Sequence, residues 1–156
     1  MEILHRYPHL RAILFDFPQV GHLAETVMRQ EGLTDRVQIV GGDYEHDVLP
    51  AGPDVVLWSG NLHASSPENC RRVLTRLHAL LPPGGMVLIH DYMLDDTRSG
   101  PLIPALLALH LTLVSAYGQV YSGAELRDLL TQAGFAEVRI EPFLTGHSSL
   151  VIAQRG

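Results

Sequence analysis

The sequence predicts an α/β protein built on a mostly parallel sheet with helices on both faces and a C-terminal antiparallel hairpin. Short apolar runs typical of strands alternate with segments whose apolar residues recur at helical spacing. Most connections between consecutive strands are long enough to hold a helix, as parallel pairing requires. Only the last two runs, "AEVRIEPF" and "SSLVIAQ", have no room for a helix between them. They therefore predict the hairpin.

Each predicted element has a local signal. The four earlier strands are expected at 12–16, 37–43, 54–60 and 86–92. A helix is expected after Ser66, because serine is a good N-cap and Pro67 suits the first helical position. "SGAE", residues 122–125, forms a capping box that opens a helix ending near Gly134. The apolar run 102–117 predicts a further, mostly buried helix.

Composition narrows the functional classes. The chain has 156 residues, 46% apolar and 18% charged, which predicts one globular domain over residues 1–156. Its net charge of −6 and scattered basic residues give no footprint for nucleic acid or an anionic membrane. One cysteine, Cys70, cannot form an internal disulfide. With no signal peptide and no apolar run long enough to span a bilayer, a cytoplasmic protein is expected.

Two carboxylates stand where strands end. Asp16 closes "AILFD" and Asp43 closes "VQIVGGD". In nucleotide-binding sheets an acid that ends the second strand accepts hydrogen bonds from both ribose hydroxyls. An acid after the third strand can receive an adenine amino group, with Tyr44 against the purine face. The alternative is that both acids are solvated turn formers.

A histidine occupies a similar position after the run "DVVLWSG". His63 lies just before a helix, at the carboxyl end of a strand, where open α/β sheets bind ligands. The alternative is a histidine in an ordinary loop. One expected feature is missing, because a ribose-binding acid normally follows a glycine-rich turn by about 20 residues. Counting back from Asp16 runs past residue 1, and "MEILHRYPHLRA" looks like the end of the helix that follows such a turn.

Four segments together carry a family resemblance: "RYPHLRAILFDFPQV", "RVQIVGGDYEHDVLPAGPDVVLWSGNLH", "LLPPGGMVLIHDYML" and "YSGAELRDLLTQAGFAEVRI". The chain resembles the catalytic domain of the S-adenosylmethionine-dependent O-methyltransferases of the caffeate/hydroxyindole type. The resemblance implies a class I, Rossmann-like methyltransferase fold, an N-terminal dimerisation domain and a homodimer. It also implies S-adenosyl-L-methionine as methyl donor, S-adenosyl-L-homocysteine as product and a small-molecule acceptor. Neither the helical domain nor the first strand with its glycine loop is found in the sequence.

The resemblance assigns roles to five positions. Asp16 matches the ribose-binding acid, and Asp43 with Tyr44 matches the adenine-binding pair. Ser59 falls where many members have a lysine that contacts the cofactor. His63 matches the catalytic base. No metal is implied, because this family is metal-independent.

The sequence also departs from the family pattern. Ala64 follows His63 where the family often has an acid or amide. Val120 stands where a glutamate usually orients the base, which leaves Tyr121 as the nearest replacement in sequence. Asp91 and two further acids, Asp95 and Asp96, fit a solvated loop better than a metal site, because their spacing matches no ligand pattern.

Two functions remain open. The first is O-methylation of a hydroxyl on a small aromatic or polycyclic acceptor, with His63 as general base. The second is a non-catalytic, remnant domain that acts as a binding or assembly module with little affinity for the cofactor. It is favoured by the missing first strand, which is central in the class I order. Its loss leaves unpaired strand edges, at about 1–3 kcal/mol for each unsatisfied buried group.

Overall fold

The computed structural model describes residues 1–156 and divides them into two compact units, Met1–Ala51 and Gly52–Gly156. The first unit contains the helix α1 (Glu2–Arg6), the strand β1 (Ala12–Asp16), the helix α2 (Pro18–Gln30) and the strand β2 (Val37–Gly41). The second contains β3 (Val55–Ser59), a 3₁₀ turn (Leu62–Ala64), α3 (Pro67–Leu80), β4 (Met86–Tyr92), α4 (Leu102–Val114), α5 (Gly123–Gln132), β5 (Phe135–Leu144) and β6 (Ser148–Arg155).

The first unit is one parallel strand pair joined by a helix. β1 and β2 run in register from Ala12 opposite Val37 to Asp16 opposite Gly41. The connection α2 begins with a proline at its first position, where the missing amide hydrogen removes no helical bond. A small apolar cluster of Leu4, Met28 and Leu33 holds the ends of α1 and α2 together.

The second unit is a four-stranded mixed sheet in the order β3-β4-β6-β5. β3 and β4 are parallel, whereas β6 runs antiparallel to both β4 and β5. Alternate residues of β4 are fully buried, as expected for a strand with one face on the core. Val87 and Ile89 are on that face, and the other buried residues of the core come from β6, α3 and α5: Val151, Ala153, Cys70, Val73, Leu74, Leu126 and Leu130.

The α/β class, the C-terminal hairpin and the helix caps are confirmed. The Ser66 side chain accepts the Asn69 amide, and Ser122 with Glu125 forms a complete capping box. Gly134 ends α5 with φ of +99°, the left-handed region that glycine adopts without strain. Cys70 is a core residue with no exposed surface.

Two of the differences from the expectation concern the sheet and the end of α4. The strands form two sheets rather than one. β1 and β2 form a sheet by themselves, and β3, whose only partner is β4, is an edge strand of the four-stranded sheet. α4 ends at Val114, because the Ser115 hydroxyl accepts the amides of Tyr117 and Gly118 and closes a turn. No helix in the chain is long and apolar enough to cross a membrane.

Candidate active site

In the first unit the two predicted acids lie at the same edge of the parallel pair. Asp16 is the last residue of β1 and lies opposite Gly41, the last residue of β2. The Gly42 amide donates to the Asp16 carbonyl oxygen at 2.9 Å, so the turn that carries Asp43 and Tyr44 begins beside Asp16. This is the carboxyl end of both strands, the edge at which α/β sheets bind ligands.

The Asp16 carboxylate is held at the start of α2. Its Oδ1 accepts the Phe17 amide at 2.8 Å, and Phe17 is the N-cap of that helix. The other carboxylate oxygen, Oδ2, accepts no hydrogen bond from the protein. The side chain is therefore fixed in place and can still accept hydrogen bonds from hydroxyl donors.

The Asp43 carboxylate is oriented by its own turn. Its Oδ1 accepts the Glu45 amide at 2.8 Å, and its Oδ2 lies 2.7 Å from Nδ1 of His46. The Asp43 amide donates in turn to the Asp47 carboxylate at 2.9 Å. A Cβ at Gly42 would lie 2.5 Å from the Phe15 ring, so a larger residue there would displace that ring. Residues of the same turn therefore hold the Asp43 carboxylate in one orientation.

In the second unit His63 forms a tight pair with a buried acid. The 3₁₀ turn that follows β3 places His63 Nδ1 2.7 Å from Oδ1 of Asp91, in β4. The backbone amide of His63 donates to Oδ2 of the same carboxylate at 3.1 Å. The Tyr92 amide adds a further hydrogen bond to Oδ1 at 2.7 Å. The Asp91 side chain is 1% exposed and that of His63 is 19% exposed, so one edge of the imidazole remains accessible.

This pair changes the proton affinity of the imidazole. The hydrogen bond to Asp91 raises the pKa of His63 above its usual value of 6.5, and the carboxylate charge adds to that effect. Partial burial of the ring acts in the opposite direction without cancelling the rise. His63 is therefore a stronger base than a free histidine.

Asp91 is the site residue that the sequence interpretation missed. The expectation of a solvated loop is wrong for Asp91, which is 2% exposed. Tyr121 is not the replacement for the missing glutamate, because its hydroxyl donates to the Ser65 carbonyl oxygen at 2.8 Å. Val120 is fully buried. The sequence contained a signal for this contact. β3 ends four residues before His63, and Asp91 lies near the end of β4, the strand that pairs with β3 in parallel.

The neighbouring acids do not join this pair. Asp95 accepts hydrogen bonds from Thr97 and Ser99 in its own loop, and these lower the pKa of its carboxyl. Asp96 accepts the Ala124 amide in the first turn of α5. No group of three or more His, Cys, Asp or Glu side chains is arranged to hold a metal ion. Asp91, Asp95 and Asp96 therefore bind three different partners: the His63 ring, the Thr97–Ser99 loop and the start of α5.

Ser59 ends β3 in an exposed position. Its hydroxyl lies 3.0 Å from Nδ1 of His90, the residue opposite it in β4. His90 is thus hydrogen-bonded to the neighbouring strand.

The backbone behind His63 is supported by a close turn. The Gln119 amide donates to the His63 carbonyl oxygen at 2.9 Å. A Cβ on Gly118 would lie 2.8 Å from the Ser115 hydroxyl and 3.1 Å from that carbonyl.

We therefore expect Gly118→Ala to destabilise the second unit by about 1–3 kcal/mol, the usual cost of overpacking. Urea unfolding followed by circular dichroism measures the change. Gly100→Ala is the control, since a Cβ there meets only an ordinary contact at 3.4 Å. Equal stability of the two variants would mean that the turn is not closely packed on His63.

A solved O-methyltransferase superposes on this α/β architecture over nearly the whole chain, so the fold is that of the class I methyltransferases. The chain belongs to the O-methyltransferase domain family, whose sequence profile matches residues 1–136.

Individual relatives agree with this family. The chain is 37% identical over 153 residues to 3-hydroxy-5-methyl-1-naphthoate 3-O-methyltransferase of Streptomyces sahachiroi, covering 98% of this chain and 44% of that protein. An O-methyltransferase family 2 protein from Planctomyces limnophilus, solved with apigenin, superposes with a TM-score of 0.90 at 33% identity. That match covers 99% of this chain and 45% of the other. Human N-acetylserotonin methyltransferase in complex with SAM gives a TM-score of 0.85 at 27% identity, over 99% and 43% of the two chains. The chain thus spans less than half the length of these relatives.

Proposed function

We propose that residues 1–156 are the catalytic domain of an S-adenosyl-L-methionine-dependent O-methyltransferase that acts on a hydroxyl of a small aromatic or polycyclic acceptor. The observation that carries the proposal is the His63–Asp91 pair, with its 2.7 Å contact and its accessible imidazole edge. The solved relative with apigenin and the naphthoate methyltransferase are both named with a phenolic compound. They support an aromatic acceptor for this chain.

The residues present fit the methyl donor. Asp16 has a fixed carboxylate with one oxygen that accepts no bond from the protein, as a ribose diol requires. Asp43 is held by its own turn, and Tyr44 follows it directly. Ser59 offers an exposed hydroxyl at the end of β3. When bound, S-adenosyl-L-methionine supplies a methyl group on a positively charged sulfur, and S-adenosyl-L-homocysteine remains afterwards.

His63 is assigned as the general base because Asp91 selects its tautomer. A carboxylate only accepts hydrogen bonds, so the neutral imidazole carries its proton on Nδ1, facing Asp91. The lone pair is then on Nε2, which makes no hydrogen bond to the protein. A phenol oxygen attacks best as it loses its proton, and a histidine titrates close enough to neutral pH to take it. Asp91 acts through His63 and is a positioning residue.

One observation favours the second candidate, a non-catalytic binding or assembly module. β1 and β3 each have a single strand neighbour and therefore one free edge. Exposed strand edges are common sites for pairing with another chain. This candidate predicts little affinity for the cofactor, which separates it from the enzyme.

The test is calorimetric titration of the chain with S-adenosyl-L-homocysteine. We expect micromolar binding by the wild type and at least a tenfold loss in Asp16→Ala, since bonds to a charged acceptor contribute about 1.5–3 kcal/mol each. Asp35→Ala is the matched control, because Asp35 is an exposed acid that precedes β2 at the opposite end of the strand. The mass in solution, recorded alongside, reports whether the chain is a homodimer. No binding by a folded wild type would overturn the proposal and favour the binding module.

A further inference from the structure

Three side chains are joined by hydrogen bonds across three strands of the second unit. The Ser59 hydroxyl of β3 lies 3.0 Å from Nδ1 of His90 in β4. On the other side of the ring, Nε2 of His90 lies 3.0 Å from the Ser148 hydroxyl of β6. Both nitrogens of the His90 ring are therefore hydrogen-bonded, whereas only Nδ1 of the His63 ring is.

The sheet register explains how the three residues meet. Ser59 lies directly opposite His90 in the parallel pair, and Ser148 lies opposite Tyr92, two residues further along β4. Residues two apart on a strand share a face, so His90 and Ser148 point to the same side of the sheet. The ring of Phe143 packs edge-on against His90, with centroids 4.7 Å apart. The His90 ring is thus contacted by side chains from β3, β5 and β6.

The tautomer of His90 decides which way the hydrogen bonds between these three side chains run. A neutral imidazole carries one N–H, whereas each serine hydroxyl can both donate and accept. If Nδ1 carries the proton, it donates to Ser59 and leaves the Ser59 proton for another acceptor. If Nε2 carries it, Ser148 accepts, and Ser59 donates to Nδ1 and keeps a lone pair free. In both arrangements the bond to His90 holds the Ser59 oxygen in place and leaves part of the hydrogen-bonding capacity of that hydroxyl free.

We propose that His90 is a positioning residue that holds the Ser59 hydroxyl for a hydrogen bond to the bound methyl donor, with Ser148 as its anchor. This inference rests on the proposed function, because it needs the donor to bind at the carboxyl ends of the strands. Ser59 is exposed at that edge, whereas Ser148 is partly buried and lies behind the ring. A free serine hydroxyl rotates among several positions, and fixing it beforehand lowers the entropy lost on binding.

The experiment is calorimetric titration with S-adenosyl-L-homocysteine of Ser59→Ala, His90→Ala and the double variant. We expect each single variant to bind about 3- to 10-fold more weakly, the value of one ordinary hydrogen bond. The double variant should bind no more weakly than Ser59→Ala, because both changes remove the same contact. Thermal unfolding of each variant checks that it is folded.

Two conservative variants separate positioning from packing. An asparagine amide lies near the position of Nδ1, so His90→Asn should restore affinity to within about twofold of the wild type. A glutamine amide lies near Nε2 and keeps the Ser148 contact, so His90→Gln should bind as weakly as Ser59→Ala. His90→Gln also replaces His90→Ala if the alanine variant does not fold.

The outcomes are distinct. Wild-type affinity in Ser59→Ala and His90→Ala would overturn the inference while leaving the methyl-donor site intact. Additive losses with no rescue by His90→Asn would also overturn it, since they would assign His90 a packing role independent of Ser59. Absence of binding by the wild type would overturn the inference together with the proposed function.

Discussion

We expect His63→Ala to lower kcat for methyl transfer by about 10²- to 10⁴-fold, the usual contribution of a positioned general base. The affinity for S-adenosyl-L-homocysteine should stay within about twofold of the wild type. The reason is that the imidazole makes its side-chain hydrogen bond to Asp91, and none of the residues assigned to the donor is its partner. Turnover with apigenin as the probe acceptor, together with calorimetry, measures both quantities.

His147→Ala is the control for this variant, because His147 is an exposed histidine in the turn between β5 and β6. It should change neither quantity. Equal losses of turnover and donor affinity in His63→Ala would contradict the general-base role and indicate a binding role instead.

The second large effect is expected for Asp91→Asn. The carboxylate accepts three hydrogen bonds, from the His63 ring, the His63 amide and the Tyr92 amide. An asparagine of the same shape turns one accepting oxygen into an NH₂ group, which then faces a donor. The imidazole loses its orientation and its tautomer preference, so kcat should fall by about 10²-fold or more even where His63 is neutral. Asp128→Asn, an exposed acid on α5, is the control.

The pH profile tests the electrostatic part of this prediction. Asp91 raises the pKa of His63, and the base must be neutral to act, so wild-type activity should rise with pH through a value above 6.5. Asp91→Asn should move this acid limb to lower pH, because the raising contributions are lost and partial burial remains. An acid limb at the same pH in both proteins would contradict the assignment of His63 as the titrating group.

The same shift has a consequence for stability. The pKa of His63 is higher in the folded than in the unfolded state, so its protonation stabilises the fold below about pH 6.5. That contribution is lost as the pH rises through the raised value.

The sequence predicted the elements well because their signals are local. Apolar runs closed by polar residues identified β1 and β4 at the observed boundaries, 12–16 and 86–92. The caps at Ser66 and Ser122 depend on residues three positions apart, and both are present. The positions of Asp16 and Asp43 at one edge follow from parallel pairing alone.

The contacts around the site could not be predicted in the same way, because they join residues far apart in sequence. His63 and Asp91 are 28 positions apart, and His90 and Ser148 are 58 apart. Their meeting depends on the strand order β3-β4-β6, which local patterns do not encode. The apolar run of α4 is another example, because Leu109 is 60% and Leu113 is 78% exposed, although the pattern predicted a mostly buried helix.

The most direct test of the account is transfer of a labelled methyl group. The chain is incubated with methyl-labelled S-adenosyl-L-methionine and apigenin, and the labelled product is analysed by mass spectrometry, for the wild type and His63→Ala in parallel. We expect label on a phenolic oxygen of the acceptor with the wild type and almost none with His63→Ala. A wild-type chain that binds the donor and transfers no label, or a His63→Ala variant that transfers it at the wild-type rate, would contradict the account.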